Sequence, residues 1–153
     1  MSDEKTGYQD LGYDKILVSL DGSDKQDKVL ERAIAIAAND GAELYIGHVI
    51  DSTALEVASG DPEELAGQLK LTFCDSIASA VATAEANPHI KKVEVIVHAG
   101  RIRETLKDDM LDVIKPDLVI CGARGLSSIG YASLGSISAF LARTADCDTL
   151  VVK

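Results

Sequence analysis

The sequence predicts a single α/β domain, a parallel β-sheet carrying helices on both faces. Short, mostly apolar runs bounded by turn residues alternate along the chain with longer stretches whose apolar residues recur at helical spacing. Strands that alternate with helices imply right-handed crossovers, and crossovers cover both faces of the sheet. A length of 153 residues favours one domain, and a chain that is 46% hydrophobic and 26% charged has the composition of an ordinary globular protein.

Residues 1–13 lack periodicity and read as a flexible N-terminal arm, leaving 14–153 as the domain. From Lys15, KILVSLDG is a buried strand ending in an Asp-Gly turn. Ser23 or Asp24 is placed to cap the helix that follows. Val29, Ala33, Ile36 and Ala37 recur at helical spacing until Asn39-Asp40-Gly41, a C-terminal stop. Ala42–Ile50 is a second strand, and 51–61 reads as a polar loop. Asp61-Pro62-Glu63-Glu64 opens a helix with a capping Asp, Pro in the first turn and acids beside the positive dipole end. Leu65, Leu69, Phe73, Ile77 and Val81 then form its core-facing stripe. Asn87-Pro88 ends it. Val93, Val95 and Val97 alternate with Glu94, Ile96 and His98, so a third strand spans about 91–99. A helix with Leu106, Met110 and Leu111 closes near Lys115-Pro116, and 117–122 (DLVICG) is the fourth strand. A Gly/Ser-rich loop, a helix over 135–144 and the short strand Thr149–Val152 complete the chain.

Fifteen basic against 25 acidic side chains give a formal net charge of −10. Nucleic acid is excluded as a partner, because that binding runs on Lys and Arg neutralising phosphates, and an anionic membrane surface would repel the chain. The N-terminus has no apolar leader and no run approaches the ~18 residues of a membrane helix, so a cytoplasmic protein is expected. Cys74, Cys121 and Cys147 lack metal-type spacing and read as small buried hydrophobes. His48, His89 and His98 read as structural or exposed.

In an open parallel sheet, ligands bind beyond the carboxyl ends of the strands, where strand order reverses. Two strand ends carry unusual residues: Asp21-Gly22 after the first, and Gly122-Ala123-Arg124-Gly125 after the fourth. The latter leads to Gly135-Ser136-Ile137-Ser138 at a helix start, giving Gly-x2-Gly-x9-Gly-Ser. Glycines let backbone approach an anion, a helix start adds free N–H groups and the positive dipole end, Ser136 and Ser138 offer hydroxyls, and Arg124 a full charge. The same letters also suit a plain surface loop with Ser136 as a cap. Gly130–Gly135 has Walker A spacing, but Ser136-Ile137 replaces Lys-[ST], so a P-loop NTPase is excluded. The dinucleotide fingerprint is absent, and the chain is poor in the aromatic side chains that wall a flavin.

Through these residues and their spacing, the sequence resembles the universal stress proteins. The resemblance covers roughly Tyr13–Lys153. It rests on KILVSLDGSD, GAELYIGHVID, DLVICGARGLSSIGYASLGSIS and CDTLVVK, and the glycine pattern marks that family's ATP-binding branch. It implies a Rossmann-like, five-stranded parallel sheet in the order 3-2-1-4-5, so that Asp21 and the Gly122 loop face each other across one crevice. By this match Asp21 holds the ribose and adenine side, and Val49 contacts adenine through its backbone. Gly122, Arg124, Gly125, Gly135, Ser136, Ile137 and Ser138 form the phosphate segment. The ligand implied is ATP or another adenine nucleotide, with Mg2+ or Mn2+ bridging the phosphates. Residues 126–134 hold no Lys or Arg, where many relatives carry one. Arg101 and Arg103 read as surface arginines of a helix start. No catalytic residue or protein-built metal site is identified. The expected function is a nucleotide-binding stress or signalling protein with at most weak hydrolysis; the alternatives are a nucleotide-free dimeric scaffold and a slow ATPase. A homodimer is expected through Thr149–Val152, a short apolar strand that the resemblance pairs antiparallel with its twin.

Overall fold

A computed structural model describes residues 12–123 and 135–153. Its five strands are β1 (Lys15–Leu20), β2 (Glu43–Asp51), β3 (Lys92–Gly100), β4 (Leu118–Gly122) and β5 (Asp148–Val152). They form one sheet in the order β3-β2-β1-β4-β5, every neighbouring pair parallel. Helices α1 (Gln26–Asp40) and α3 (Pro62–Ala86) belong to crossovers running one way from β1. The crossovers carrying α4 (Ile102–Thr105), α5 (Asp112–Ile114) and α6 (Ser136–Thr144) run the other way.

Right-handed connections therefore put α1 and α3 on one face and α4, α5 and α6 on the other. The core divides accordingly. Ile16, Val18 and Leu20 pack with Leu30, Ala33, Phe73 and Ile77 on the first face. Leu17, Tyr45 and Val49 pack with Leu106, Met110, Ile114 and Leu141 on the second. Alternation along β1 thus feeds both layers, which is why its sequence is almost continuously apolar.

Four local expectations change. The helix after β1 starts at Gln26 with Lys25 in the capping position, and no side chain caps it. Ser23 and Asp24 sit too early: the turn before the helix is closed instead by Asp21 Oδ1, which accepts the Ser23 N–H at 2.9 Å. Within the expected loop 51–61 lies a short helix, α2 (Ser52–Val57), because Asp51 caps it by accepting the Thr53 N–H. On α3 the apolar stripe reaches the core only from Phe73 onward; Leu69 is exposed. The helix before Pro116 contains a π-helical turn, Leu106–Leu111, between α4 and α5. That wider turn keeps Leu106, Met110 and Leu111 all buried although they are four and five residues apart.

The ends behave as their residues dictate. Gly41 stops α1 in the left-handed region, φ 67°, with its N–H bonded to the Ala37 carbonyl. Lys115 takes a left-handed conformation, φ 54°, ahead of Pro116, where the right-handed helical conformation is disfavoured. At the amino edge of the sheet, the Asp117 carboxylate accepts the N–H groups of Asp14 and Lys15. Tyr13, the last residue of the expected arm, donates its hydroxyl to Asp148 at 2.7 Å and its N–H to Asp40. The bond to Asp148, with burial and the charges of Asp148, Asp117 and Asp40, pushes the Tyr13 hydroxyl up to about 12. No helix of the described residues is long and apolar enough to cross a membrane.

Candidate functional site

Strand order reverses between β1 and β4, the two strands from which crossovers leave in opposite directions. In register, Ser19 lies beside Cys121, so Leu20 is level with Gly122 and Asp21 follows at the carboxyl edge. Asp21 is exposed. One of its oxygens holds the turn through Ser23, and Gly22 completes that turn with φ 77°, a conformation that suits glycine.

Across the gap, Gly122 is the last residue of β4, and the chain is fastened immediately after it. The Ala123 N–H bonds to the Val152 carbonyl, and the Gly135 N–H bonds to the Ala123 carbonyl. Those bonds bring both ends of the glycine segment together although twelve residues separate Gly122 from Gly135. Gly135 stands in the capping position of α6 and has no side chain to close it. The N–H groups of Ser136, Ile137 and Ser138 are thus first-turn donors that the helix itself cannot pair, set at its positive dipole end. Such a terminus suits a phosphate or carboxylate.

The two serines differ. Ser136 is exposed, whereas Ser138 is buried and its hydroxyl donates to the Gly135 carbonyl at 2.9 Å. The Ser138 hydroxyl is therefore spent on fastening the helix start, and its contribution to an anion would come from its N–H. Ile137 packs its side chain into the core beneath α6. Arg124 and Gly125 lie outside the described residues.

Val49 completes the edge from the β2 side. β1 ends opposite His48, while β2 runs on to Asp51 paired only with β3. Backbone groups of 49–51 on the β1 side consequently have no strand partner, and Val49 itself is buried with the second core layer. A planar ring carrying donors and acceptors could be read by that open backbone.

Two groups close behind the edge are neutral by circumstance. His48 lies flat on Phe73, ring centroids 4.1 Å apart and 9° between planes, with Nδ1 2.8 Å from the Leu20 carbonyl. Burial lowers its pKa, opposed by the Leu20 carbonyl and the Asp21 charge. The bond fixes Nδ1 as the protonated nitrogen of the neutral ring. Cys121, at the end of β4, is pushed up to about 11 by burial and the Asp21 charge, which leaves it an unreactive thiol. Among the described residues, no group of three His, Cys, Asp or Glu side chains is arranged to hold a metal ion.

Two participants at this end gave no usable sequence signal. Gln26, only 7% exposed, donates from Nε2 to Ser76 Oγ at 2.9 Å, while its buried Oε1 has no partner among the described residues. Arg103, expected as a plain surface arginine, holds its guanidinium carbon 5.7 Å from the centre of the Phe140 ring on α6. His48 was recognisable as a structural residue, but its tie to the end of β1 depends on strand register.

The fold and edge geometry define an open α/β sheet protein with an anion-compatible helix start at its topological switch point. The family model for the universal stress protein family matches residues 12–153. The chain belongs to that family. Among its relatives, a protein named as a universal stress protein in Staphylococcus saprophyticus is 27% identical over 143 residues, covering 94% of this chain and 85% of the relative. A counterpart in Staphylococcus aureus is 28% identical over 146 residues, covering 94% and 86%. The universal stress protein UspA from Lactobacillus plantarum superposes with a TM-score of 0.78 at 22% identity, covering 92% of this chain and 98% of that one. A universal stress protein solved in complex with cAMP superposes at 0.64 with 28% identity, covering 92% and 97%.

Proposed function

We propose that this chain is an ATP-binding universal stress protein acting in stress response or signalling, with nucleotide occupancy altering its conformation or its partners. The observation that carries the reading is the α6 start: uncapped N–H groups beside Gly122, directly across the sheet's switch point from Asp21. In this reading Ser136, Ile137 and Ser138 bind phosphate through backbone N–H groups, Ser136 adding its hydroxyl. Gly122 and Gly135 let the phosphates approach, together with Arg124 and Gly125. Asp21 takes the ribose, and Val49 meets adenine through the backbone that β2 leaves open beyond β1. The related protein solved with cAMP supports an adenine ligand. A Mg2+ or Mn2+ ion bound together with the nucleotide would neutralise part of the phosphate charge beside the α6 start. The reading is one of binding, with at most weak hydrolysis, in a cytoplasmic homodimer joined through Thr149–Val152.

The test begins with protein purified without added nucleotide. It is denatured, its small molecules are identified by mass, and ATP with Mg2+ is titrated into the emptied protein. Recovery of ATP, or binding at micromolar affinity or tighter, is expected. The Gly135→Val variant should keep the fold, because Gly135 has φ −67° and ψ 164°, backbone angles that valine adopts without strain. Its side chain should nevertheless block the phosphates and abolish binding while circular dichroism is unchanged. No nucleotide and no binding up to millimolar ATP would overturn the reading in favour of a nucleotide-free scaffold.

A further inference from the structure

One cation at the carboxyl edge has no role in the reading above. Arg103 is exposed, in the first turn of α4, which begins directly after β3. α6 likewise begins at the carboxyl edge, after β4, and both helices lie on the same face of the sheet. The two helices meet through side chains: the Arg103 guanidinium lies over the ring of Phe140, in the second turn of α6.

Phe140 is a half-buried member of the core layer beneath α6, so its ring is a fixed platform. Long helical side chains lean toward the helix N-terminus, so this ring covers the flank of the Ser136–Ile137 turn. A guanidinium over that ring is thereby directed toward the start of α6. Among the described residues the two ion pairs are Lys92–Glu94 and Lys107–Asp112, so Arg103 has no carboxylate partner there. A cation–π contact of this kind does not consume the N–H donors of the guanidinium, which match the geometry of a phosphate in a bidentate pair. An unpaired arginine also matters more in a chain of net charge −10, whose overall field repels a polyphosphate.

We propose that Arg103, steadied by Phe140, is a phosphate-contacting specificity residue that makes the α6 site favour nucleoside polyphosphates over the nucleoside. The inference rests on the nucleotide reading. Binding of ATP, ADP, AMP and adenosine is measured by calorimetry for the wild type, Arg103→Gln, Arg103→Lys and Phe140→Leu.

Loss of one charged, bidentate contact should weaken ATP about ten- to a hundredfold in R103Q. Adenosine should stay within about twofold, because the variant removes no contact to base or ribose. R103K should recover part of the loss and F140L should fall between wild type and R103Q. Unliganded R103Q should melt with the wild type, since the residue is exposed. ATP affinity unchanged in R103Q, or adenosine weakened as much as ATP, would overturn the role of Arg103 and leave the nucleotide reading standing. A wild type that binds none of the four ligands would overturn both.

Discussion

Gly47 sits in the middle of β2, where the π-helical turn presses on the sheet. A Cβ placed there would stand 2.8 Å from Met110 Sδ and 3.2 Å from Leu17 Cδ1. Both fall below the ~3.5 Å at which non-bonded atoms attract. Met110 is 0% exposed, so its sulfur has no solvent side into which to swing. Gly47→Ala should therefore cost about 1–3 kcal/mol by overpacking. Met110→Ala alone should cost about 2–5 kcal/mol, because it leaves a cavity under the π turn. In the double variant the new methyl enters the space that the sulfur vacated and meets only Leu17. Its cost should then be about 1–2 kcal/mol less than the sum of the single changes, within the range for residues in contact. For a chain of this length each kcal/mol moves Tm by roughly 2–4 °C, so Gly47→Ala alone should melt about 2–12 °C early. Urea unfolding and calorimetry on the four proteins give the cycle. Additivity within ~0.5 kcal/mol would show that Met110 does not fill the space above Gly47 and would refute this packing argument.

Leu150→Asp, on the half-buried outer strand β5, should shift the proposed homodimer to monomer, and a sedimentation profile unchanged by that charge would remove β5 as its interface. His48 carries a pH prediction of definite sign. Burial favours its neutral ring, so the folded pKa lies below the ordinary value of 6.5 and the unfolded chain takes up a proton first. The stability involved is present above about pH 6.5 and is lost as pH falls through that value. His48→Asn should flatten the fall of Tm between about pH 7.5 and about pH 5.5, and equal slopes in the two proteins would refute the assignment.

Most of the architecture was legible because each element carries its own local reason. Asp61-Pro62 opens α3, Gly41 closes α1, and the alternating valines of β3 could face a core in only one way. What was not legible depends on neighbours distant in sequence. Leu69 keeps a helical spacing with Phe73, yet it lies on the part of α3 that the first core layer does not cover. The cap of α1 was misread because Asp21, Ser23 and Asp24 are all capping residues, and the turn after β1 decides which is engaged. The π turn is invisible to a periodicity search: Leu106, Met110 and Leu111 fit an α-helix almost as well, and what distinguishes the turn is its backbone pairing, with the Asp112 N–H reaching back five residues to the Lys107 carbonyl.

For the candidate site, the sequence supplied residues and the sheet supplied their meeting. Asp21 and Gly122 are 101 residues apart, and a strand order that makes β1 and β4 neighbours turns two separate motifs into opposite rims of one edge. That order followed from the family resemblance, since spacing alone leaves several orders open. Ser138 shows the converse limit. Its letter promised a hydroxyl for a ligand, but a buried hydroxyl must find a partner, and the nearest is the carbonyl of Gly135 that begins its own helix. Arg103 shows why an arginine's role cannot be assigned from its position at a helix start. The aromatic face that fixes it belongs to the other crossover on the same side of the sheet, and the sequence holds no trace that residues 103 and 140 would meet.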